Sequence, residues 1–421
     1  MMNQELRNQA DQIVRQAISA VLPDAAVIRA LEQAEFSGTV ILVAAGKAAW
    51  QMAKTARTVL RDRIDRGIVI TKYGHVKGPI PGVQCVEAGH PVPDENSFRG
   101  TEEALALVRD LTREDTVLFL LSGGGSALFE KPLIPGEELQ DITRQLLASG
   151  ADIVEINTIR KRLSAVKGGK FAQCCAPARV FSVVLSDIIG DPLDMIASGP
   201  ACPDSSTCRD ALAIGEKYNL QLSEEARALL NQETPKSLSN VTTCVTGSVR
   251  ELCRAAAEAA KALGYTPQIL TDKLDCQARE AGEYLASLAR EYGDRDEKLA
   301  LIAGGETVVK LNGTGKGGRN QELALAAAEG IEGMAGVCLF SVGSDGTDGP
   351  TDAAGGYVDG TTATRLRELG IRIPDVLANN DAYHALQKVD GLIITGPTGT
   401  NVNDVAVLLL DRRNREERSH V

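Results

Sequence analysis

Glycine in this chain gathers where apolar, β-branched runs stop. Gly46 follows the run 39–45, Gly123, Gly124 and Gly125 follow 116–121, and Gly304 and Gly305 follow 298–303. Further glycine clusters occupy 313–318, 343–349 and 396–399. Helical patterns such as 48–61 and 97–111 lie between the runs. Short buried strands alternating with helices are the signature of α/β architecture with largely parallel strands. In open parallel sheets ligands bind in the crevice outside the strands' carboxyl ends, which is where these glycines fall.

The strand runs form two groups. The first is 39–45, 67–71, 84–88, 116–121 and 180–186; the second is 241–246, 266–270, 298–303, 337–341, 392–395 and 405–410. Between them 210–239 is polar, helix-prone and closed by the breaker Glu233-Thr234-Pro235-Lys236-Ser237. The expected boundary is therefore near residue 236, giving domains 1–236 and 237–421. A chain of 421 residues suits two or three domains better than one core. Glycine loops at the strand ends of both groups predict an active site in the cleft between the two domains.

Composition removes several classes of function. The net charge of −11 lacks the basic footprint that a nucleic-acid backbone requires, though a few local cations suffice for a nucleotide. The nine cysteines are odd in number and form no Cys-x-x-Cys pair, so neither a disulfide framework nor a zinc site is expected. No apolar run approaches the roughly 18 residues of a membrane span, and the amphipathic N-terminus lacks a signal peptide's apolar core. A cytoplasmic chain with no membrane partner is expected. The tail 411–418 mixes both signs and reads as solvated.

Five segments could carry chemistry. Lys47 follows Gly46 at the predicted start of a helix, where a cation opposes the dipole by about 0.3–1 kcal/mol unless both share an anion. Ser122, Gly123, Gly124, Gly125 and Ser126 could line up N–H groups as a phosphate nest. This is neither a Walker A loop nor a dinucleotide fingerprint, because Leu128 stands where the last glycine of the latter belongs. Asp187, Asp191 and Asp194 follow the run 180–186, where carboxylates hold Mg²⁺ through one or two ligands and water; at least one is expected to be plain turn chemistry.

Glu306 follows Gly304-Gly305, and Arg319 opens the helix after the 313–318 loop, a second cation against a dipole. A shared anionic ligand would explain both Lys47 and Arg319. Asp345, Asp348 and Asp352 form the fifth segment, equally readable as pocket lining or as an acidic turn; the loop 394–404 could line the same cleft. His75, His90, His384 and His420 have no metal-ligand spacing, and His90 reads as a secondary substrate contact.

The chain resembles the glycerate 2-kinase family, whose C-terminal part is the MOFRL domain. The resemblance rests on AAGKAAWQMA, EAGHPVPDENSFRGTEEAL, LLSGGGSALFEKP, INTIRKRLSAVKGGKFA, LSDIIGDPLDMIASGP, AGGETVVKLNGTGKGGRNQE, SVGSDGTDGPTD and GPTGTNVNDVAVLL, in order from about residue 40 to 410. It implies an N-terminal Rossmann-like, largely parallel sheet with flanking helices and a C-terminal α/β MOFRL-type domain. It implies phosphorylation of D-glycerate at the 2-hydroxyl with ATP and Mg²⁺, the family's active-site lysine falling on Lys47 and its arginine on Arg319.

In the mechanism expected from this, Ser122–Ser126 cradle phosphate, Asp191 and Glu306 hold Mg²⁺, and Lys47 and Arg319 neutralise substrate and transferring phosphoryl charge. Asp187 accepts the proton of the attacking hydroxyl. Gly304 and Gly305 join the cofactor-binding set. Removing either Lys47 or Arg319 is expected to leave stability nearly unchanged. Family members are also called hydroxypyruvate reductase, an NAD(P)H-dependent alternative that the missing dinucleotide fingerprint opposes. A non-enzymatic anion-binding protein would leave the carboxylates unexplained. The oligomeric state stays open, a homo-oligomer included.

Overall fold

The computed structural model describes residues 3–293 and 297–411. Its strands are β1 Val40–Ala45, β2 Ile64–Lys72, β3 Val83–Ala88, β4 Thr116–Leu121, β5 Arg179–Leu185, β6 Val241–Gly247, β7 Thr266–Leu274, β8 Leu299–Gly305, β9 Val337–Gly343, β10 Gly355–Asp359, β11 Leu392–Ile393 and β12 Asp404–Leu410. They form two six-stranded sheets. Two compact units result: Pro23–Ser186 with Asp191–Thr246, here the N-terminal unit, and Gly247 onward with Asp187–Gly190 and the residues up to Leu22, here the C-terminal unit. The charged tail beyond Asp411, with His420, lies outside the described residues.

The N-terminal sheet runs β3-β2-β1-β4-β5-β6, the doubly wound order. β1 pairs in parallel with β2 and β4, β2 with β3, and β4 with β5. All six residues of β1 and of β4 are buried, as central parallel strands covered on both faces must be. Chain order reverses direction across the sheet between β1 and β4. Ala45 stands opposite Leu121 there, so the loops after these two strands leave the sheet side by side. β6, grouped from sequence with the later strands, is the outer strand of this sheet.

The C-terminal sheet runs β11-β10-β9-β12-β8-β7. The expectation of largely parallel strands fails here. Only β7 and β8 pair in parallel; β12 runs antiparallel to both its neighbours, β8 and β9, and β10 antiparallel to β9 and β11. Fully buried strands read as continuous apolar runs in either direction, so their pattern carries no sign of orientation. β10 escaped the sequence reading because Gly355 and Gly356 open it. A Cβ on Gly355 would lie 1.8 Å from Ser341 O across the ladder, so glycine is what lets the strand pair.

The helix Gln4–Ala20 belongs to the C-terminal unit. Asn3 caps it, accepting from the Glu5 and Leu6 N–H groups. Its stripe Leu6, Ala10, Ile13, Val14 and Ala17 packs in one core with Val249, Leu252 and Ala256 of the helix Val249–Ala262. The 3.6-residue period of that stripe is the amphipathic pattern visible in the sequence.

Candidate active site

The crossover between β1 and β4 is sealed by backbone hydrogen bonds. Lys47 N–H donates to Gly123 O at 2.9 Å, and Ser122 N–H to Ala45 O at 3.0 Å. Ser122 Oγ accepts from Ala48 N–H at 3.0 Å. Gly46 has φ +123°, and a Cβ there would lie 2.3 Å from Ser122 Oγ. Only glycine lets the two loops approach this closely. The helix itself spans Ala49–Leu60, so Lys47 lies just ahead of it; the helix has neither a side-chain cap nor an acidic residue in its first turn.

The Lys47 side chain is exposed and has no ion-pair or hydrogen-bond partner among the described residues. It rests on Gly124, as does His90: a Cβ on Gly124 would come 3.2 Å from Lys47 Cγ and 3.0 Å from His90 Cδ2. The Lys47 carbonyl is held by His75 Nδ1 at 2.9 Å, and Gly46 O by Thr71 Oγ1 at 2.9 Å. Burial, then the charges of Lys47 and Lys72 and the nearby His75, hold the His90 imidazole below its ordinary pKa. The adjacent carboxylates are engaged elsewhere, Asp94 by Tyr73 at 2.6 Å and by Ser97 N–H at 3.0 Å, Glu87 by Val76 N–H at 2.9 Å. What is left is a positive pocket over a glycine turn. Such a setting stabilises an anion.

The far end of the glycine loop is clamped by cations that the sequence reading did not single out. Arg160 Nη2 and Lys167 Nζ both donate to Ser126 O at 2.9 Å, and Lys167 also to Phe129 O at 3.2 Å. Glu130, fully buried, lies 3.3 Å from Arg160 and 3.4 Å from Lys167. Burial pulls Lys167 down to about 8. Ser126 Oγ is 3.4 Å from Ser198 Oγ, which donates to Asn157 Oδ1 at 2.8 Å. The available signal was the run of cations in INTIRKRLSAVKGGKFA, amid residues otherwise patterned for burial on the helix Ile153–Leu163. Nearby in the chain, Asp191 has φ +52°, and its buried Oδ1 has no hydrogen-bond partner among the described residues. Asp194 pairs with Lys161 at 3.4 Å, a structural role, and Asp187 is half-buried in the loop after β5.

In the C-terminal unit Arg319 begins the helix Arg319–Ala327, as the sequence implies, and its guanidinium is already engaged by the chain's own carboxylates. Its Nε and Nη2 grip Asp404 at 2.6 and 3.1 Å, and Nη1 meets Glu306 Oε1 at 2.5 Å. Asp348 accepts from the Asn320 and Gln321 N–H groups at 3.1 and 2.9 Å, so two of the helix's orphan donors and its dipole are answered by the chain's own carboxylate. Burial pushes Asp404 up to about 6 and raises Asp348 as well. Asp352 is bound by Tyr383 at 2.8 Å, and Asp345 accepts from Thr347 N–H at 3.0 Å.

Gly304 and Gly305 are needed for packing inside this unit. A Cβ on Gly304 would lie 2.3 Å from Cys253 Sγ, and one on Gly305, at φ +155°, 2.1 Å from Leu274 O. Among the described residues no group of three His, Cys, Asp or Glu side chains is placed to hold a metal ion. Magnesium ordinarily takes only one or two carboxylates, completing its shell with water and phosphate oxygens.

A family described as a domain of unknown function, DUF4147, matches residues 9–231, and the MOFRL family matches residues 299–404. The chain is 54% identical over 413 residues to the D-glycerate 2-kinase of Thermotoga maritima, covering 97% of this chain and 99% of that protein. It is 39% identical to the glycerate 2-kinase of Pyrococcus horikoshii, over 97% of this chain and 98% of that one. The crystal structure of the glycerate kinase from Thermotoga maritima superposes with a TM-score of 0.93 at 55% identity, covering 97% of this chain and all of that one.

Proposed function

The chain belongs to the glycerate 2-kinase family, and from that premise we propose that it moves the terminal phosphoryl group of ATP to the 2-hydroxyl of D-glycerate, forming 2-phosphoglycerate and ADP. Identity of 54% along nearly the whole of both chains supports the activity. The observation that carries the reading within this molecule is Lys47: an exposed ammonium with no partner among the described residues, standing over a glycine turn at the switch point of a doubly wound sheet. Ligands of such sheets bind at that point.

In phosphoryl transfer the protein contributes mainly positioning and stabilisation of charge. Lys47 neutralises anionic oxygen, and His90, its imidazole held below its ordinary pKa by burial and then by the charge of Lys47, donates or accepts a hydrogen bond. The loop Ser122–Ser126 presents backbone to phosphate, held rigid at one end by Ala45 and Lys47 and at the other by Arg160 and Lys167. Asp187 is our choice for the group that takes the proton of the attacking hydroxyl. Arg319, fixed by Asp404 and Glu306, offers its remaining guanidinium surface to substrate charge.

Magnesium, when bound, neutralises phosphate charge and orients the transferring group. Of the two carboxylates expected to hold it, Asp191 fits the role with a buried, unpartnered oxygen. Glu306 fits less well, since one of its oxygens already faces Arg319. No helix among the described residues is long and apolar enough to cross a membrane. We place the reaction in the reducing cytoplasm, a setting that suits nine free cysteines.

Two assays on the purified protein separate this reading from its rival. ADP release that requires both ATP and D-glycerate is the expected result. Oxidation of NAD(P)H with hydroxypyruvate, with no ADP formed, would overturn it.

A further inference from the structure

The C-terminal unit contains a cleft of about 770 Å³, of whose lining residues only Arg319 has a role above. That volume lies in the range of pockets for nucleotide-sized ligands, roughly 300–1,000 Å³. Its chemistry is unusual for a kinase. Although the 313–318 glycine loop forms one wall, its N–H groups as far as Lys316 are already occupied. Asn312 and Gly313 donate to Asn380 Oδ1 at 2.8 and 2.9 Å, Thr314 to Asn379 Oδ1 at 3.1 Å, and Lys316 to Asp381 Oδ1 at 2.9 Å. Gly315 donates to Asn379 O at 2.9 Å. The helix end beside the loop is taken by Asp348. Glu322, Asp345 and Asp348 line the cleft, and the guanidinium of Arg319 is already matched by Asp404. The three carboxylates of the lining oppose phosphate here.

Other features of the same cleft call for a different ligand. Val308 and Leu311 line it while 54% and 81% exposed, large apolar surface that the unit itself does not cover. Thr307, only 3% exposed, also lines it, and its buried Oγ1 has no hydrogen-bond partner among the described residues. A buried hydroxyl without a partner costs about 1–3 kcal/mol, a cost removed when a ligand supplies the missing bond. Apolar plates at the rim, acceptor carboxylates deeper in and an orphaned hydroxyl suit a flat heterocycle joined to a polyhydroxyl sugar.

We propose that this cleft binds the base and ribose of ATP, with Val308 and Leu311 against the purine and Glu322 accepting from nucleoside donors. The proposal rests on the kinase reading above for the identity of the cosubstrate.

Calorimetric titration with adenosine, which has no phosphate, isolates the cleft from the phosphate site. Unmodified protein is compared with Val308→Asp, Leu311→Asp and Thr307→Val, each checked by thermal melting. The first two changes fall on exposed side chains, and the third exchanges a hydroxyl for a methyl group. Adenosine binding is expected to weaken by on the order of tenfold or more in each aspartate variant, with KM for ATP rising in step and KM for D-glycerate unchanged. Thr307→Val should weaken adenosine while raising the melting temperature, a combination that a purely structural hydroxyl would not give. Normal adenosine affinity and normal KM for ATP in well-folded aspartate variants would overturn the cleft assignment and leave the kinase reading standing. Failure of the unmodified protein to form ADP would overturn the kinase reading, whereas adenosine bound by it and lost in the variants would uphold the cleft.

Discussion

Asp404 holds Arg319 by two atoms at once, Oδ2 to Nε at 2.6 Å and Oδ1 to Nη2 at 3.1 Å, with Glu306 closing on the third nitrogen. Asp404 is the first residue of β12 and stands beside the last residue of β8, Gly305, so the pair is created by inserting β12 antiparallel next to β8. The grip explains how a cation can open a helix without a ligand present. It also fixes the direction in which Arg319 points.

The pair reverses the sequence-based expectation that losing Arg319 leaves the free protein unharmed. Arg319→Ala strands the buried Asp404 carboxylate, and orphaning a buried charge costs about 3 kcal/mol or more. Urea denaturation should show that loss. Arg319→Lys should recover only part of it, because an ammonium cannot make the two-pronged contact.

Asp404 should also set an acidic limb in the rate profile. Burial pushes its carboxyl up to about 6, so as pH falls through 6 it takes a proton and its charge is withdrawn from Arg319. The limb in kcat/KM is expected near pH 6 and should vanish in Asp404→Asn. Stability runs the other way. The folded pKa lies above the unfolded value of about 3.9, so this group's contribution is present below pH 4 and lost as pH rises through 6. Asp404→Asn should flatten the fall in melting temperature across that window.

Lys47 should behave as Arg319 does not. Its side chain is exposed and unpaired among the described residues, so Lys47→Ala should change stability by no more than about 0.5 kcal/mol. Turnover should drop by about a hundredfold or more, the usual consequence of losing a preorganised charge at the transition state. Steady-state kinetics and a thermal melt on one preparation check both halves.

The clamp on the glycine loop gives a fourth expectation. Lys167→Met leaves the fully buried Glu130 with Arg160 as its remaining ion-pair partner and removes a donor from Ser126 O and Phe129 O. A loss of about 3 kcal/mol is expected. Adding Glu130→Gln should return part of it, with a coupling of about 1–3 kcal/mol in the double-mutant cycle. Strictly additive losses in urea unfolding would mean that the two groups do not act as a pair.

Local signals made the N-terminal half of this picture legible. The runs that became β1 and β4, the glycines that follow them and Lys47 between them are all encoded within a few residues, and the parallel order follows from helices between strands. What escaped the sequence depends on distant partners. Nothing near Arg319 reveals that Asp404 lies beside it, 85 residues later in the chain. Nothing in the 313–318 loop shows that the N–H groups of Gly313, Thr314 and Lys316 belong to Asn380, Asn379 and Asp381. Nothing local to the cations of the helix Ile153–Leu163 shows that the fold buries them against Glu130 and Asp204.

The central claim is tested most directly by identifying the product. Phosphorus NMR of a reaction containing the protein, ATP, magnesium and D-glycerate should show ADP and 2-phosphoglycerate growing in equal amounts. Phosphate appearing on the 3-hydroxyl, or ATP left intact while D-glycerate is present, would contradict it.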